Sequence, residues 1–340
     1  MPGDGSGSTV LAMGIAQGWP AGVEARPIEK ADAEAWADLL AAKEKVDQEG
    51  ENYDADNLLE ELDDPKLNAA TDTLGLWSGG QLVGYGKVTG PDEVVDVDRV
   101  FAEGAVHPQW RGKGVGDALM SWLIPRATAL HRERHPEAPG EIGVGAISTN
   151  TSADQPFSAR GFEPCRYFFG MERDLGADPV PDSPVAGGLR LVGFDPSYDE
   201  RLRVAHNEVF LDHWGSTPRD PESWRTWFTG SRTFRAAQSF LVLDGERIAA
   251  YVLGYEYVAD TAATGIKELY VGQVGTRRDH RGKGAARAAL ARVMTVAQEA
   301  DFKRVSLGVD AENPTGALGL YEKLGFRMKT KSISYRRPIS

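Results

Sequence analysis

Two stretches of the chain combine cations with glycines in a pattern suited to holding an anion. The second runs from the apolar Val274 through Gly275 and Thr276 to Arg281-Gly282-Lys283-Gly284, then into the alanine-rich Ala285 and Ala286. Gly282 and Gly284 can adopt backbone conformations closed to other residues and let N–H groups approach a ligand. A helix starting near Ala285 aims its unpaired N–H groups and positive dipole end at the same point, which suits a pyrophosphate. Arg281 and Lys283 add mobile positive charge. One such run fits an ordinary strand-to-helix turn equally well. Here it occurs twice, because Val106 and Arg111-Gly112-Lys113-Gly114-Val115-Gly116 repeat the plan. Each copy is followed downstream by an aromatic residue, three others and Gly-Phe, Phe157 to Phe162 in the first and Tyr321 to Phe326 in the second. Repetition of the whole arrangement marks a duplicated unit.

The elements that must position these residues repeat as well. In each half the order reads as strand, one or two helices, hairpin, strand, Gly-rich turn, helix, strand, helix and last strand. The second-half hairpin is Ser239 to Tyr257 with Asp244-Gly245 as its turn, and Trp77 to Tyr85 is its first-half counterpart. The interval from Arg to Gly-Phe is longer in the first half, and the polar stretch His131 to Gly140 with its two prolines is the expected place for the extra residues. Residues 176–188 are rich in proline and glycine and read as a linker. The expected organisation is a loose tail over 1–21, a first domain over 22–175, that linker, and a second domain over 189–340.

The two loops and their endings resemble those of the Gcn5-related acetyltransferases (GNAT), whose acetyl-CoA loop has the pattern Arg/Gln-x-x-Gly-x-Gly/Ala. Arg281, Gly284 and Ala286 match it, as do Arg111, Gly114 and Gly116. The family's next landmark is matched by Asn313, Ala317, Tyr321, Gly325 and Phe326, with Asn313 one residue further from Tyr321 than is common. The resemblance covers roughly Leu189 to Tyr335 closely and Val23 to Arg173 more loosely. It implies a mixed α/β fold of two tandem domains, each a mostly antiparallel sheet flanked by helices with one splayed parallel strand pair. It also implies acetyl-CoA as co-substrate, bound by Val274, Gly275, Thr276, Arg281, Gly282, Lys283, Gly284, Ala285, Ala286 and Asn313. Val106, Arg111, Gly112, Lys113, Gly114, Val115 and Gly116 are the corresponding candidates for a second site.

Direct transfer needs a neutral amine, donors for the developing oxyanion and a proton for the departing thiolate. By resemblance the backbone N–H near Val274 is the oxyanion donor and Tyr321 the general acid, although Tyr321 can also simply pack beneath Gly-Phe. Glu268, on the strand entering the loop, is the candidate base or else a solvated edge carboxylate. Glu256 is the reserve. The first half has Phe157 in place of Tyr321 and, by a simple offset, Asp98 in place of Glu268, so it reads as a degenerate copy. Asp212, His213 and Trp214 lie where the family lines its acceptor side; the alternative is that they fill an interface. Fused members with the chemistry in their second domain are known, and that plan implies a C-terminal active half.

A formal charge of -12 argues against nucleic acid and suits a cationic amine. The single Cys165 excludes an internal disulfide and a cysteine zinc cluster, and no metal is expected because His206 and His213 have no third ligand in view. No apolar run approaches the ~20 residues needed to span a bilayer, so the expected setting is cytoplasmic with no membrane partner. The expected activity is N-acetylation of a small-molecule amine by a monomer or homodimer. A silent CoA-binding sensor and a protein N-acetyltransferase are the alternatives.

Overall fold

The computed structural model describes residues 18–148, 154–176, 178–185, 187–211, 213–313 and 316–340. The first half runs β1 (Glu24–Arg26), α1 (Ala33–Asp47), α2 (Ala55–Leu62), α3 (Ala69–Asp72), β2 (Thr73–Ser78), β3 (Gln81–Thr89), β4 (Asp98–Val106), α4 (Val115–Arg134), β5 (Gly140–Ile147), α5 (Asp154–Ser158) and β6 (Glu163–Asp174). The second half keeps the strand plan, with α8 after its hairpin where the first has α3 before it: β7 (Arg190–Gly193), α6 (Asp199–Phe210), α7 (Pro221–Trp224), β8 (Phe240–Asp244), β9 (Arg247–Tyr255), α8 (Val258–Thr264), β10 (Glu268–Thr276), α9 (Ala285–Glu299), β11 (Arg304–Asp310), α10 (Ala317–Lys323) and β12 (Arg327–Pro338). Both expected hairpins form. The extra residues of the first half lie mainly in the helix: α4 has 20 residues and α9 has 15, so the reading of a long loop over 131–140 is corrected.

Among the described residues, twelve strands join one sheet in the order β1-β2-β3-β4-β5-β12-β6-β11-β10-β9-β8-β7. The halves therefore exchange their last strands. β6 lies antiparallel to β11, and β12 lies antiparallel to β5, while β6 and β12 pair with each other at the centre. Period-two alternation along each strand supplies two apolar faces. One face packs α9 and α10 against Val242, Val252, Leu269, Val271, Val305 and Leu307 in the second half, with α4 in the equivalent place in the first. The opposite face carries α1 and α2 over Leu82 and Tyr85, and α6 and α7 over Leu241, Tyr251 and Tyr255.

His206 belongs to that second face. Its ring stacks on Phe210 at 4.4 Å, touches Trp224 and Phe228, and is hydrogen-bonded to the Tyr251 hydroxyl at 2.8 Å. Burial, helped by the charges of Arg219 and His213, pushes its pKa down to about 3. The unfolded chain then binds the extra proton first, so stability is complete above the ordinary histidine value and declines as pH falls toward 3, by at most ~1.4 kcal/mol per pH unit. Thermal melts between pH 7 and pH 5 should therefore have a shallower slope in His206→Gln than in the parent. An unchanged slope would remove His206 as the cause.

Candidate functional site

β10 and β11 pair in parallel from Glu268 with Arg304 to Val271 with Leu307, and the pairing stops there. Beyond that point β10 continues along β9 alone. The Arg277 N–H donates to Ala249 on the β9 side, so by strand alternation the N–H groups of Thr276 and Val274 face the opening between β10 and β11. Val274 itself is partly buried against the α9 core. Gly275 has no room for a Cβ because the Tyr251 ring lies against it.

The loop after β10 leads straight into α9. Gly282 and Gly284 have φ of +75° and +78°, in the left-handed region that favours glycine, and no atom lies within 4 Å of where a Cβ would stand on either. Gly284 is the N-cap of α9 and no side chain caps the helix, which leaves the first N–H groups, those of Ala285 and Ala286 included, open to a ligand. Arg281 donates from Nε to the Thr276 carbonyl at 3.3 Å, which folds the loop back on its strand. Lys283 and Arg287 are exposed beside it, with no ion pair among the described residues.

Tyr321, on α10, is 6% exposed, rests edge-on against Phe326 and has its hydroxyl pKa raised by burial and then by the Tyr270 charge. Glu268 accepts a hydrogen bond from the Ser306 hydroxyl and lies 3.7 Å from the Arg304 guanidinium, on the sheet face of Tyr270. Tyr270 is also held up by burial, and its oxygen faces the Gly308 amide across the opening. Asn313 donates its backbone N–H to Asp310 at 3.1 Å. Glu256 is held by Arg235 at 2.7 Å in an ion pair.

The first-half loop has the same backbone and different electrostatics. Gly112 and Gly114 have φ of +72° and +83°, and Gly114 is the uncapped N-cap of α4, with Val115 and Gly116 opening the helix. However, Arg111 is bound by both oxygens of Asp47 at 2.8 and 2.7 Å, and Lys113 lies over the Trp110 ring at 4.8 Å. Asp117 occupies the first turn of α4, where α9 has Arg287. Pro20 stands beside Gly114. β4 and β5 pair only from Asp98 to Phe101, so this half splays too, from Ala102, and Val106 closes its β4.

The structure corrects one equivalence. β10 has a bulge between Val271 and Gln273 that β4 lacks. Upstream of it the halves are offset by one residue, and every side chain before the bulge changes face. The counterpart of Glu268 is therefore Arg99, which pairs with Glu141 at 2.8 Å as Glu268 pairs with Arg304. Asp98 instead points to the α4 face, fully buried and 2.7 Å from His131 Nδ1.

Each half packs a connection between its helices against the other. The connection between α1 and α2 crosses to the second half, where the Asn52 N–H and Nδ2 both donate to Asp260 at 3.0 Å. Conversely, Trp214, between α6 and α7, has Arg99 at 5.4 Å and Arg166 at 5.8 Å from its ring and Phe168 at 6.2 Å. With Phe101, Glu141, Cys165 and Tyr335 it lines a cavity of about 130 Å³ over β4 and β5. Trp214 thus sits at the first half's strand pair, a correction to its expected place beside the second. The His213 ring packs on Phe210 at 4.3 Å. Asp212 lies outside the described residues. Sequence reasoning did not foresee the Asn52–Asp260 contact between the halves; the acidic run from Asp47 to Asp54 was the available signal, but not of the half it would face.

Among the described residues no group of three or more His, Cys, Asp or Glu is arranged to hold a metal ion, and no helix is long and apolar enough to cross a membrane. The model of the acetyltransferase (GNAT) family matches residues 33–137 and 200–326. Similar relatives include a mycothiol acetyltransferase of Salinispora arenicola, 29% identical over 88% of this chain and 92% of the relative, and one of Thermobispora bispora, 27% identical over 78% and 83%. Among solved structures, a GCN5-related N-acetyltransferase from Sphaerobacter thermophilus superposes with a TM-score of 0.74 at 26% identity, covering 94% of this chain and 96% of that one. A tandem GNAT protein from the clavulanic acid biosynthesis pathway, at 18% identity and a TM-score of 0.67 over 94% and 99%, shares the fold.

Proposed function

Because the chain belongs to the acetyltransferase (GNAT) family, we propose that it transfers an acetyl group from acetyl-CoA to a small-molecule amine, with the chemistry in its C-terminal half. Membership makes it an acyltransferase. The observation that carries the finer reading is the contrast between the loops. Around Gly284 stand Arg281, Lys283 and Arg287 with no carboxylate paired to them among the described residues, whereas Arg111 is neutralised by Asp47, and the Asp117 of the first turn of α4 is itself paired with Arg160. An uncapped helix start with free cations fits a pyrophosphate. Titration of the full chain with CoA should accordingly give one strong site per chain. Two equal sites would remove the electrostatic argument.

Acetyl-CoA supplies the acetyl group and the thiolate leaving group. In this reading the Val274 N–H donates to the acetyl oxygen, Glu268 takes the proton of the attacking amine and Tyr321 gives one to the thiolate. The Tyr321 hydroxyl is protonated at neutral pH, as an unperturbed phenol already is, and what supports the last role is its nearness to Tyr270, whose oxygen faces the opening. Glu268→Gln should lower turnover roughly 10²-fold with acetyl-CoA affinity retained, as measured by steady-state kinetics beside calorimetry. Equal activity would return the base role to another carboxylate.

The test of function is release of the CoA thiol over a panel of amines, and the relatives' name makes the amine acceptor of mycothiol formation the first to include. Turnover with one or more small amines is expected. Intact acetyl-CoA binding with no turnover on any amine would favour a sensor, and turnover only on peptides would favour protein acetylation.

A further inference from the structure

We propose, resting on the preceding reading, that His280 is a positioning residue for acetyl-CoA: as an imidazolium it clamps the anion loop to the β8–β9 hairpin, and its charge tunes the affinity for the pyrophosphate. His280 ends the short turn Arg278–His280 that follows β10, so it is the last residue before the loop cations Arg281 and Lys283. Its side chain is only 5% exposed, yet both ring nitrogens reach carboxylates. Nδ1 lies 2.9 Å from Asp279, on the same turn, and Nε2 lies 3.0 Å from Asp244, the last residue of β8. A neutral imidazole has one N–H and can donate to one carboxylate. The imidazolium donates to both.

The clamp closes on itself. Asp244 stands opposite Arg247 across the hairpin turn, and Arg247 reaches back to Asp279 at 2.5 Å. Cation and carboxylate thus alternate around four side chains, two from the hairpin and two from the turn. The hydrogen bond from His280, and then that from Arg247, hold the Asp279 carboxyl down to about 2, so it stays charged throughout the neutral range. The other charges on the surrounding elements are Arg277, paired with Glu208 of α6; Arg278 and Arg281 on the turn; Lys283 and Arg287 at the start of α9; and Glu246 in the hairpin turn, which Arg201 holds at 3.0 Å.

With His280 charged, the two carboxylates and two cations of the clamp cancel. Loss of the imidazole proton removes one donor and leaves a net negative charge beside a loop that must hold an anion. A bound pyrophosphate therefore favours the protonated ring, and affinity is full while the ring is charged and falls as rising pH discharges it. The first half supplies the contrast. Trp110, Gln109, Ser78 and Gln81 stand where the second half has His280, Asp279, Asp244 and Arg247, so its hairpin end and turn carry no such charges.

The experiment is calorimetric titration of the full chain with dephospho-CoA between pH 6 and pH 8.5; this probe lacks the 3′-phosphate, so its diphosphate keeps one charge over that range. Parent affinity should fall about threefold or more from the lower pH to the higher. His280→Gln should flatten the profile, whereas a histidine that only packs would change affinity equally at every pH. Asp244→Asn, at a side chain 59% exposed and so compatible with folding, should move the midpoint of the fall to lower pH, because the imidazolium loses a carboxylate. A flat parent profile, or one whose slope and midpoint survive both substitutions, would overturn the proposal. Gly284→Val separates this from the parent reading: a flat parent profile with weak binding in Gly284→Val sinks the clamp alone, and binding undiminished in Gly284→Val places the ligand elsewhere and sinks both.

Discussion

Tyr321→Phe is expected to lower turnover by roughly 10²- to 10⁴-fold while leaving acetyl-CoA affinity within about twofold. The substitution removes one oxygen from a ring that is buried and packed edge-on against Phe326, so the packing of α10 beneath the last strand is retained. The first half supplies a natural precedent for that packing. Phe157 sits 5.9 Å from Phe162 and 5.2 Å from Tyr335, an aromatic contact with no hydroxyl involved. Phe157→Tyr should therefore create no second activity, because Arg99 stands where the second half has Glu268 and cannot accept a proton from an amine. Steady-state kinetics beside a binding isotherm separates chemistry from affinity. Full activity in Tyr321→Phe would end the acid assignment.

The second large effect concerns the loop. Gly284→Val should weaken acetyl-CoA binding at least about tenfold, for two reasons that add. A branched side chain at φ +78° is strained by roughly 1–2 kcal/mol, which displaces the N–H groups at the start of α9. The side chain would also project into space that no protein atom occupies, where the ligand is expected. Gly114→Val carries the same backbone strain at φ +83° and so controls for stability alone. Calorimetry should show the affinity falling in the first variant and unchanged in the second, with circular dichroism confirming that both remain folded.

The parts legible in the sequence were those whose chemistry requires particular residues. Left-handed turns at Gly282 and Gly284 need glycine, an anion site needs Arg and Lys beside a helix start, and the glycines of the two-residue turns at Gly79-Gly80 and Gly245-Glu246 announce their hairpins, the second turn falling one residue later than Asp244-Gly245. The parts that stayed hidden depend on partners distant in the chain. Nothing in the residues of β6 or β12 states that each will pair with the other half. The bulge at Gly272 adds one residue without a sequence signal stronger than a glycine, and that one residue turned Asp98 into a false counterpart of Glu268. Trp214 was placed by resemblance on the second half's acceptor side, and nothing in the sequence states that it covers the first half's strand pair. Asp212 and residues 1–17 lie outside the described residues, and so do Pro314 and Thr315, beside Asn313.

In the proposed division of labour the C-terminal half performs acetyl transfer and the N-terminal half shapes it. The measurement that tests it most directly is the rate of CoA thiol release, with an accepted amine, in Gly284→Val and Gly114→Val side by side. The first should lose at least about nine-tenths of the parent rate at subsaturating acetyl-CoA while the second keeps nearly all of it. Loss of activity in Gly114→Val with Gly284→Val unaffected would contradict it and assign the chemistry to the other half.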